Sequence, residues 1–353
     1  MFNIHVHQTL RRCSRHLPIC MALVGTLFIG IANGQPRSAT LDAIKQRGSL
    51  KCGVYENSPG LAALDDQGEW VGFDVDYCRA LAAAILGDGK KTQFVKLTFA
   101  QSMPALRSGE IDVAAMSITY TAQRDTELGF DFVGPTLYSG HGFMVRKRAN
   151  VAKLADLNGA TICIIAGTAT ESLMADYFRP RNLTFKPVAV ESPTQMLSMY
   201  ESGRCDVVTL EPPFLAMQRA RLKNPADHLI LSETFAKSHM GPIVREDDRV
   251  YSNVTRWVQY ALVTAEELGI AASNVDAMKA SKNPEVRRFL GVEGSIGSRM
   301  GLTNDFTVNV IKAVGNYGDV WDRNIGMKSP GKLPRGMNAL ARDGGMQWAP
   351  NWR

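Results

Sequence analysis

From residue 50 onward, hydrophobic positions follow two alternating spacings. "LKCGVYE" and "QFVKLTF" carry the β-branched and aromatic content of strands, whereas "FDVDYCRALAAAIL" returns Val75, Cys78, Leu81, Ala82 and Ile85 at three- and four-residue steps. That second spacing predicts a helix over residues 73–86, with Asp74 as its cap and Gly87 as its stop. A short helix around 102–107, a stop at Gly109 and a strand at "IDVAAMS" follow. The order β-α-β-α-β implies a mostly parallel sheet covered on both faces.

The pattern then runs a second time. After "LADLNG" come a strand "TICIIAG", a helix over 168–178, a strand near "FKPVAV", a helix near "PTQMLSMYESG" and a strand "CDVVTLE". Even the wording repeats: "SGEIDVAAMSIT" begins at Ser108 and "SGRCDVVTLEPP" at Ser202. The repetition predicts two α/β lobes on one plan, with the shared unit ending a helix and starting a strand in each. Ligands of such sheets bind beyond the carboxyl ends of the strands. Ser117 and Thr119 in one lobe and Glu211 in the other therefore fall where a ligand is gripped between lobes. "HGFMVRK" (141–147) and "HMGPIVRED" (239–247) read as two hinge strands, giving a discontinuous lobe 1 (40–140 plus 246–353) and a lobe 2 (146–239). Beyond 243 the chain is mainly helical, with "VTRWVQYALVTAEELG" its clearest amphipathic run, and the glycine- and aromatic-rich tail from 302 offers no chemistry.

The N-terminus fits neither lobe. Arg11, Arg12 and Arg15 precede an apolar run over 17–32, which is shorter than the roughly 20 residues of a membrane span. Ala32-Asn33-Gly34 follows, the small-residue context of signal-peptidase cleavage, so residues 1–34 read as a secretory leader. Its removal takes away three arginines and no acids and lowers the formal net charge from +6 to +3, too little for a nucleic-acid binder. Cys52, Cys78, Cys163 and Cys205 remain, an even number in an exported chain and at no zinc-site spacing, which suggests disulfides. Pairing Cys52 with Cys78 and Cys163 with Cys205 keeps each crosslink within a lobe and leaves the hinge free.

"GFDVDYCRALAAAI", "MSITYTAQR" and "GTATES" together resemble the family 3 periplasmic solute-binding proteins of ABC transporters. "DDQGEWVGFDVDYCRA", "GRCDV", "NPEVRRFLG", "IKAVGNYG" and "LARDGG" are similar to its general or polar L-amino-acid-binding subgroup, and the resemblance spans nearly all of 40–350. It implies the two-lobed type II binding-protein fold, a periplasmic monomer without a cofactor, an amino-acid ligand and a membrane permease as partner. Carried over residue by residue, it implies that Arg124 holds the ligand's α-carboxylate. A guanidinium suits that task because it offers two parallel donors and stays charged.

Ser117 and Thr119 match the family's hydroxyl and backbone contacts, and Tyr55 and Ser58 its side-chain contacts in the loop after the first strand. Thr168, following Gly167, is expected to begin a helix with Glu171 as its capping-box partner, leaving free amides that attract a carboxylate. Glu211 stands where the family usually has an aspartate for the α-ammonium, and no Pro-Pro follows there in the subgroup. Ala169 replaces a frequent threonine. Two alternatives share the scaffold: a periplasmic cyclohexadienyl dehydratase with Glu211 as its acid, and a sensory module presenting ligand to a receptor.

Overall fold

The computed structural model describes residues 37–55 and 57–353; the expected leader at 1–34 lies outside the described residues. The strands are β1 (Leu50–Tyr55), β2 (Ala63–Leu64), β3 (Trp70–Val71), β4 (Thr92–Leu97), β5 (Val113–Thr119), β6 (Phe130–Phe132), β7 (Leu137–Arg146), β8 (Thr161–Ile165), β9 (Lys186–Val190), β10 (Val207–Leu210), β11 (His228–Ile230) and β12 (Ala236–Arg245). Apart from the β2–β3 hairpin they form one path, β4-β1-β5-β12-β7-β10-β8-β9, with β6 on β12 and β11 on β7.

The two ends of that path are built alike. β1 lies parallel between β4 and β5, and β8 lies parallel between β9 and β10. β12 and β7 run antiparallel in the middle, paired from Ala236 opposite His141 to Met240 opposite Leu137. β7 changes partner between His141 and Gly142, from β12 to β10. The two long strands are therefore shared by both halves, and they begin a few residues before the segments read as hinges.

The repeated Ser-Gly-x-x-Asp-Val unit has a mechanical role. Asp112 donates its N–H to the Lys51 carbonyl and accepts the Lys51 N–H on its carboxylate, both at 2.8 Å. Asp206 makes the same pair with Thr161, at 2.8 and 2.9 Å. In each half the aspartate pins the incoming strand to the start of the central parallel strand. The glycine of each copy, just past its helix, takes positive φ, 77° at Gly109 and 79° at Gly203, which a side chain would resist.

Helices α1 (Ala39–Arg47), α2 (Phe73–Leu86), α3 (Phe99–Ser108) and α4 (Ala122–Thr126) belong to the first half, and α5 (Thr170–Phe178), α6 (Pro193–Glu201) and α7 (Pro212–Ala220) to the second. α2 is buried along almost its whole length, which is why its sequence is alanine-rich on every face. Its start differs from the sequence reading. Gly72 is the N-cap, and Asp74 is buried inside the first turn instead of capping it.

The remainder, α8 (Arg249–Glu267), α9 (Val275–Met278), α10 (Pro284–Phe289), α11 (Ile296–Arg299), α12 (Phe306–Val314) and α13 (Tyr317–Asn324), packs onto the first half. The tail closes this core: Trp352, 2% exposed, sits edge-on to Trp257 and Phe289. Arg335 forms a two-pronged pair with Glu266, and Asn338 bonds both the N–H and the carbonyl of Tyr138 in β7. Disulfides join Cys52 of β1 to Cys78 of α2, and Cys163 of β8 to Cys205 just before β10, with Cα atoms 6.2 and 5.7 Å apart. No helix of the described residues is long and apolar enough to cross a membrane.

Candidate functional site

The carboxyl ends of β1, β5, β8 and β10 converge on a cavity of about 60 Å³. Tyr55, Ser58, Ser117, Thr119, Thr168 and Glu211 line it, so six of the eight residues singled out from sequence share one wall-to-wall space. The halves touch around it. Tyr55 donates to the Glu191 carbonyl at 3.0 Å, and a Cβ added at Gly167 would lie 3.4 Å from Ala100 of α3. Gly167 thus lets the second half approach the first, in the left-handed conformation (φ 78°) that glycine tolerates. A larger hollow of about 540 Å³ is lined by Tyr138, Ser139 and Gly140 of β7, by Pro212 and Pro213, and by the tail residues Leu333, Pro334 and Arg335.

Glu211 forms the acidic end. It is 6% exposed and accepts a hydrogen bond from Ser238 of β12 at 2.8 Å. Ser238 spends its only hydrogen there, so in its 3.4 Å contact with Thr119 the Thr119 hydroxyl donates. Glu211 is also the N-cap of α7, and Pro212 opens that helix. This accounts for the two prolines. They occupy first-turn positions whose N–H groups have no helical partner, so the helix loses no internal bond. Pro212 rests on Gly142, where an added Cβ would come within 3.2 Å of it.

The cationic end lies behind Thr119. Arg124, on α4, is 6% exposed, donates to the Thr119 carbonyl at 2.8 Å and lies over the Phe99 ring at 5.2 Å. Thr119 and Phe99 line the cavity; Arg124 itself does not. Among the described residues its guanidinium has no carboxylate partner. Burial lowers its pKa to about 10, so it remains charged at neutral pH. A run of contacts therefore links the two ends: Arg124 to the Thr119 carbonyl, the Thr119 hydroxyl to Ser238, and Ser238 to Glu211.

Three details differ from the sequence reading. Tyr55 is the last residue of β1 and not a loop residue. The helix after β8 begins at Thr170 with Ala169 as N-cap, and Glu171 is exposed, so the expected capping box is not formed. Thr168 instead donates to the Ile165 carbonyl at 2.7 Å, tightening the turn that sets up the helix. Ser117, in an unusual left-handed conformation (φ 44°), sends its hydroxyl away to Asp74, at 3.1 and 3.0 Å from the two carboxylate oxygens. Burial raises Asp74 to about 7 against the lowering effect of Ser117.

Sequence reasoning missed His141, Thr170, Phe99, Phe214 and Ser238. The first four line the cavity and Ser238 supports Glu211. Their places follow from pairings across long stretches of chain, of which a single residue gives no local sign. Among the described residues, no group of histidines, cysteines or acids is arranged to hold a metal ion.

Comparison with known proteins agrees with this architecture. The profile of the bacterial extracellular solute-binding proteins, family 3, matches residues 50–272. The chain is 46% identical to the general L-amino acid-binding periplasmic protein AapJ of Rhizobium johnstonii, over 93% of this chain and 97% of the relative. It is 44% identical to the glutamate/glutamine/aspartate/asparagine-binding protein BztA of Rhodobacter capsulatus, over 91% and 95%. Among solved structures, an ABC transporter periplasmic binding protein from Brucella ovis with glutathione bound superposes with a TM-score of 0.87 at 44% identity, covering 90% of this chain and 100% of that one. With this match, the repeated half-sheets and the cavity at their carboxyl ends find one explanation: the chain belongs to family 3 of the bacterial extracellular solute-binding proteins.

Proposed function

We propose that this is the periplasmic amino-acid receptor of an ABC transporter, which captures an α-amino acid with a polar side chain and delivers it to a membrane permease. It is a binding protein and not an enzyme, as are the relatives named for what they bind. The observation that carries the reading is the polarity of the site, with a buried guanidinium lacking an acid partner toward one end and a buried carboxylate at the other. A zwitterion meets both demands, its α-carboxylate facing Arg124 and its α-ammonium facing Glu211. Ser58, Ser117, Thr119, Thr168, Gly167 and Tyr55 complete the wall or allow it to close.

The working parts are lobe 1 (40–140 plus 246–353), lobe 2 (146–239) and hinges at 141–147 and 239–247, acting in a monomer. A ligand that touches both lobes only when they are shut shifts the population toward the closed form. The cavity is small, so a tripeptide such as glutathione requires the halves to stand farther apart than a single amino acid does. A thermal-shift screen over amino acids, their deaminated analogues and glutathione tests this. A ligand at 100 times its Kd adds about 2.7 kcal/mol of stability. Stabilisation by polar amino acids but not by their deaminated analogues is expected; stabilisation by none of the amino acids would overturn the reading.

A further inference from the structure

We propose that His141 reads the side chain of the bound amino acid, and that its imidazole is what lets one site accept both an acid and its amide. The inference rests on the amino-acid reading above and specifies how that site selects. His141 is 3% exposed and lines the cavity at the point where β7 changes partners. Neither ring nitrogen has a hydrogen-bond partner among the described residues. Nδ1 stands 3.6 Å from the nearer Glu211 oxygen, too far for a hydrogen bond.

Several other polar groups of the wall are committed to the protein. Tyr55 donates to Glu191, Thr168 to Ile165, Thr209 to Gly142, and Ser117 to Asp74. Among the described residues of the wall, His141 is the one whose fully buried polar atoms lack a partner, and a buried polar group without a partner is costly. Its ring is nevertheless held in place. It stacks on Phe235 with centroids 5.5 Å apart, and Phe235 in turn stacks on Phe143 at 4.9 Å. An immobilised imidazole with free nitrogens beside the ammonium-binding carboxylate is placed to meet whatever extends from the ligand's α-carbon.

The chemistry of the ring fixes the ligand class. A neutral imidazole offers one donor and one acceptor, and which nitrogen carries the hydrogen can exchange. It donates to a side-chain carboxylate or amide carbonyl, and it accepts from an amide NH2. A fixed ammonium or carboxylate in this position would serve one of those ends and repel or waste the other. An aliphatic side chain satisfies neither nitrogen.

Calorimetry with glutamate, glutamine and norvaline on the wild type, His141→Phe and His141→Gln tests the assignment, with folding checked by thermal melts. His141→Phe keeps a stacking ring and removes both nitrogens. It is expected to weaken glutamate and glutamine by about tenfold or more while leaving norvaline unchanged or tighter. His141→Gln, which retains a donor and an acceptor, is expected to keep most of the preference. If His141→Phe does not fold, His141→Leu supplies the same comparison. An unchanged ratio of glutamine to norvaline affinity in the nitrogen-free variant, whether all ligands weaken together or none does, overturns the role of His141 and leaves the amino-acid reading standing. A wild-type protein that binds none of the three overturns both.

Discussion

Tyr55 donates its hydroxyl hydrogen to the main-chain carbonyl of Glu191 at 3.0 Å, tying the end of β1 to the turn before α6. The donor and the acceptor stand on opposite halves of the repeated architecture, so the bond exists only while those halves are together. Tyr55→Phe removes it and keeps the ring. A neutral hydrogen bond contributes about 0.5–1.5 kcal/mol, so affinity is expected to fall roughly two- to tenfold. The melting temperature of the ligand-free protein measured alongside should stay nearly constant. An affinity unaltered in Tyr55→Phe would mean that closure does not depend on this contact.

Arg124 and Glu211 define a second prediction because the proposed function assigns them opposite charges of the ligand. Arg124→Met leaves the α-carboxylate buried without a partner, and a loss of roughly 2–5 kcal/mol is expected for every amino acid. Glu211→Asp shortens the reach by one methylene and should change the order of preferred ligands without abolishing binding. Glu211→Gln should weaken amino acids more than analogues that lack the α-ammonium. Calorimetry on the folded variants decides; undiminished affinity in Arg124→Met would remove the carboxylate clamp.

Asp74 gives a pH signature. Burial raises it from 3.8 to about 7, so the folded protein keeps a proton that the unfolded chain has already released. That contribution is fully present below 3.8 and is lost as pH rises through about 7. Asp74→Asn retains an acceptor for Ser117 and does not ionise. In denaturant titrations the variant is expected to gain on the wild type steadily from pH 4 to pH 7 and to hold a constant margin above that. A pH-independent difference would show that Asp74 does not titrate in this range.

The disulfides should affect stability and leave recognition alone. They close spans of 26 and 42 residues, for which chain entropy predicts about 3–4 kcal/mol each. Each lies within one half, so neither resists opening. Reduction is expected to lower the denaturation midpoint while amino-acid affinity, measured under native conditions, changes less than about twofold. A large loss of affinity in a protein that remains folded would contradict this separation.

What the sequence disclosed depended on how local its cause was. α2 could be placed at 73–86 because its three- and four-residue spacing and Gly87 stop are both local. The Ser-Gly-x-x-Asp-Val repeat revealed the doubled plan because each copy does the same job in its own half. α7 was missed because two prolines after a strand look like a loop, although proline is at home in a first helical turn. Asp74 reads as a cap in the sequence because its hydrogen-bond donor, Ser117, lies 43 residues away. His141 was the least accessible. Its burial follows from pairing opposite Ala236 and its importance from the partners it lacks, neither of which is written near residue 141.

The grip of Asn338 on Tyr138 has a different kind of consequence. Its side-chain oxygen meets the Tyr138 N–H at 2.7 Å and its nitrogen meets the carbonyl at 2.9 Å, as a neighbouring strand would. Asn338 lies well beyond residue 272, where the family profile match ends, so a tail outside that match is bonded to one of the two strands shared by both halves without lining the ligand cavity. The apparent affinity of a closing receptor is its intrinsic affinity scaled by the fraction of molecules poised to close. Cargo choice and sensitivity are then written in separate parts of the chain. Under the proposed closure, a change in the tail shifts the concentration at which the receptor scavenges while every residue proposed to touch the nutrient stays the same.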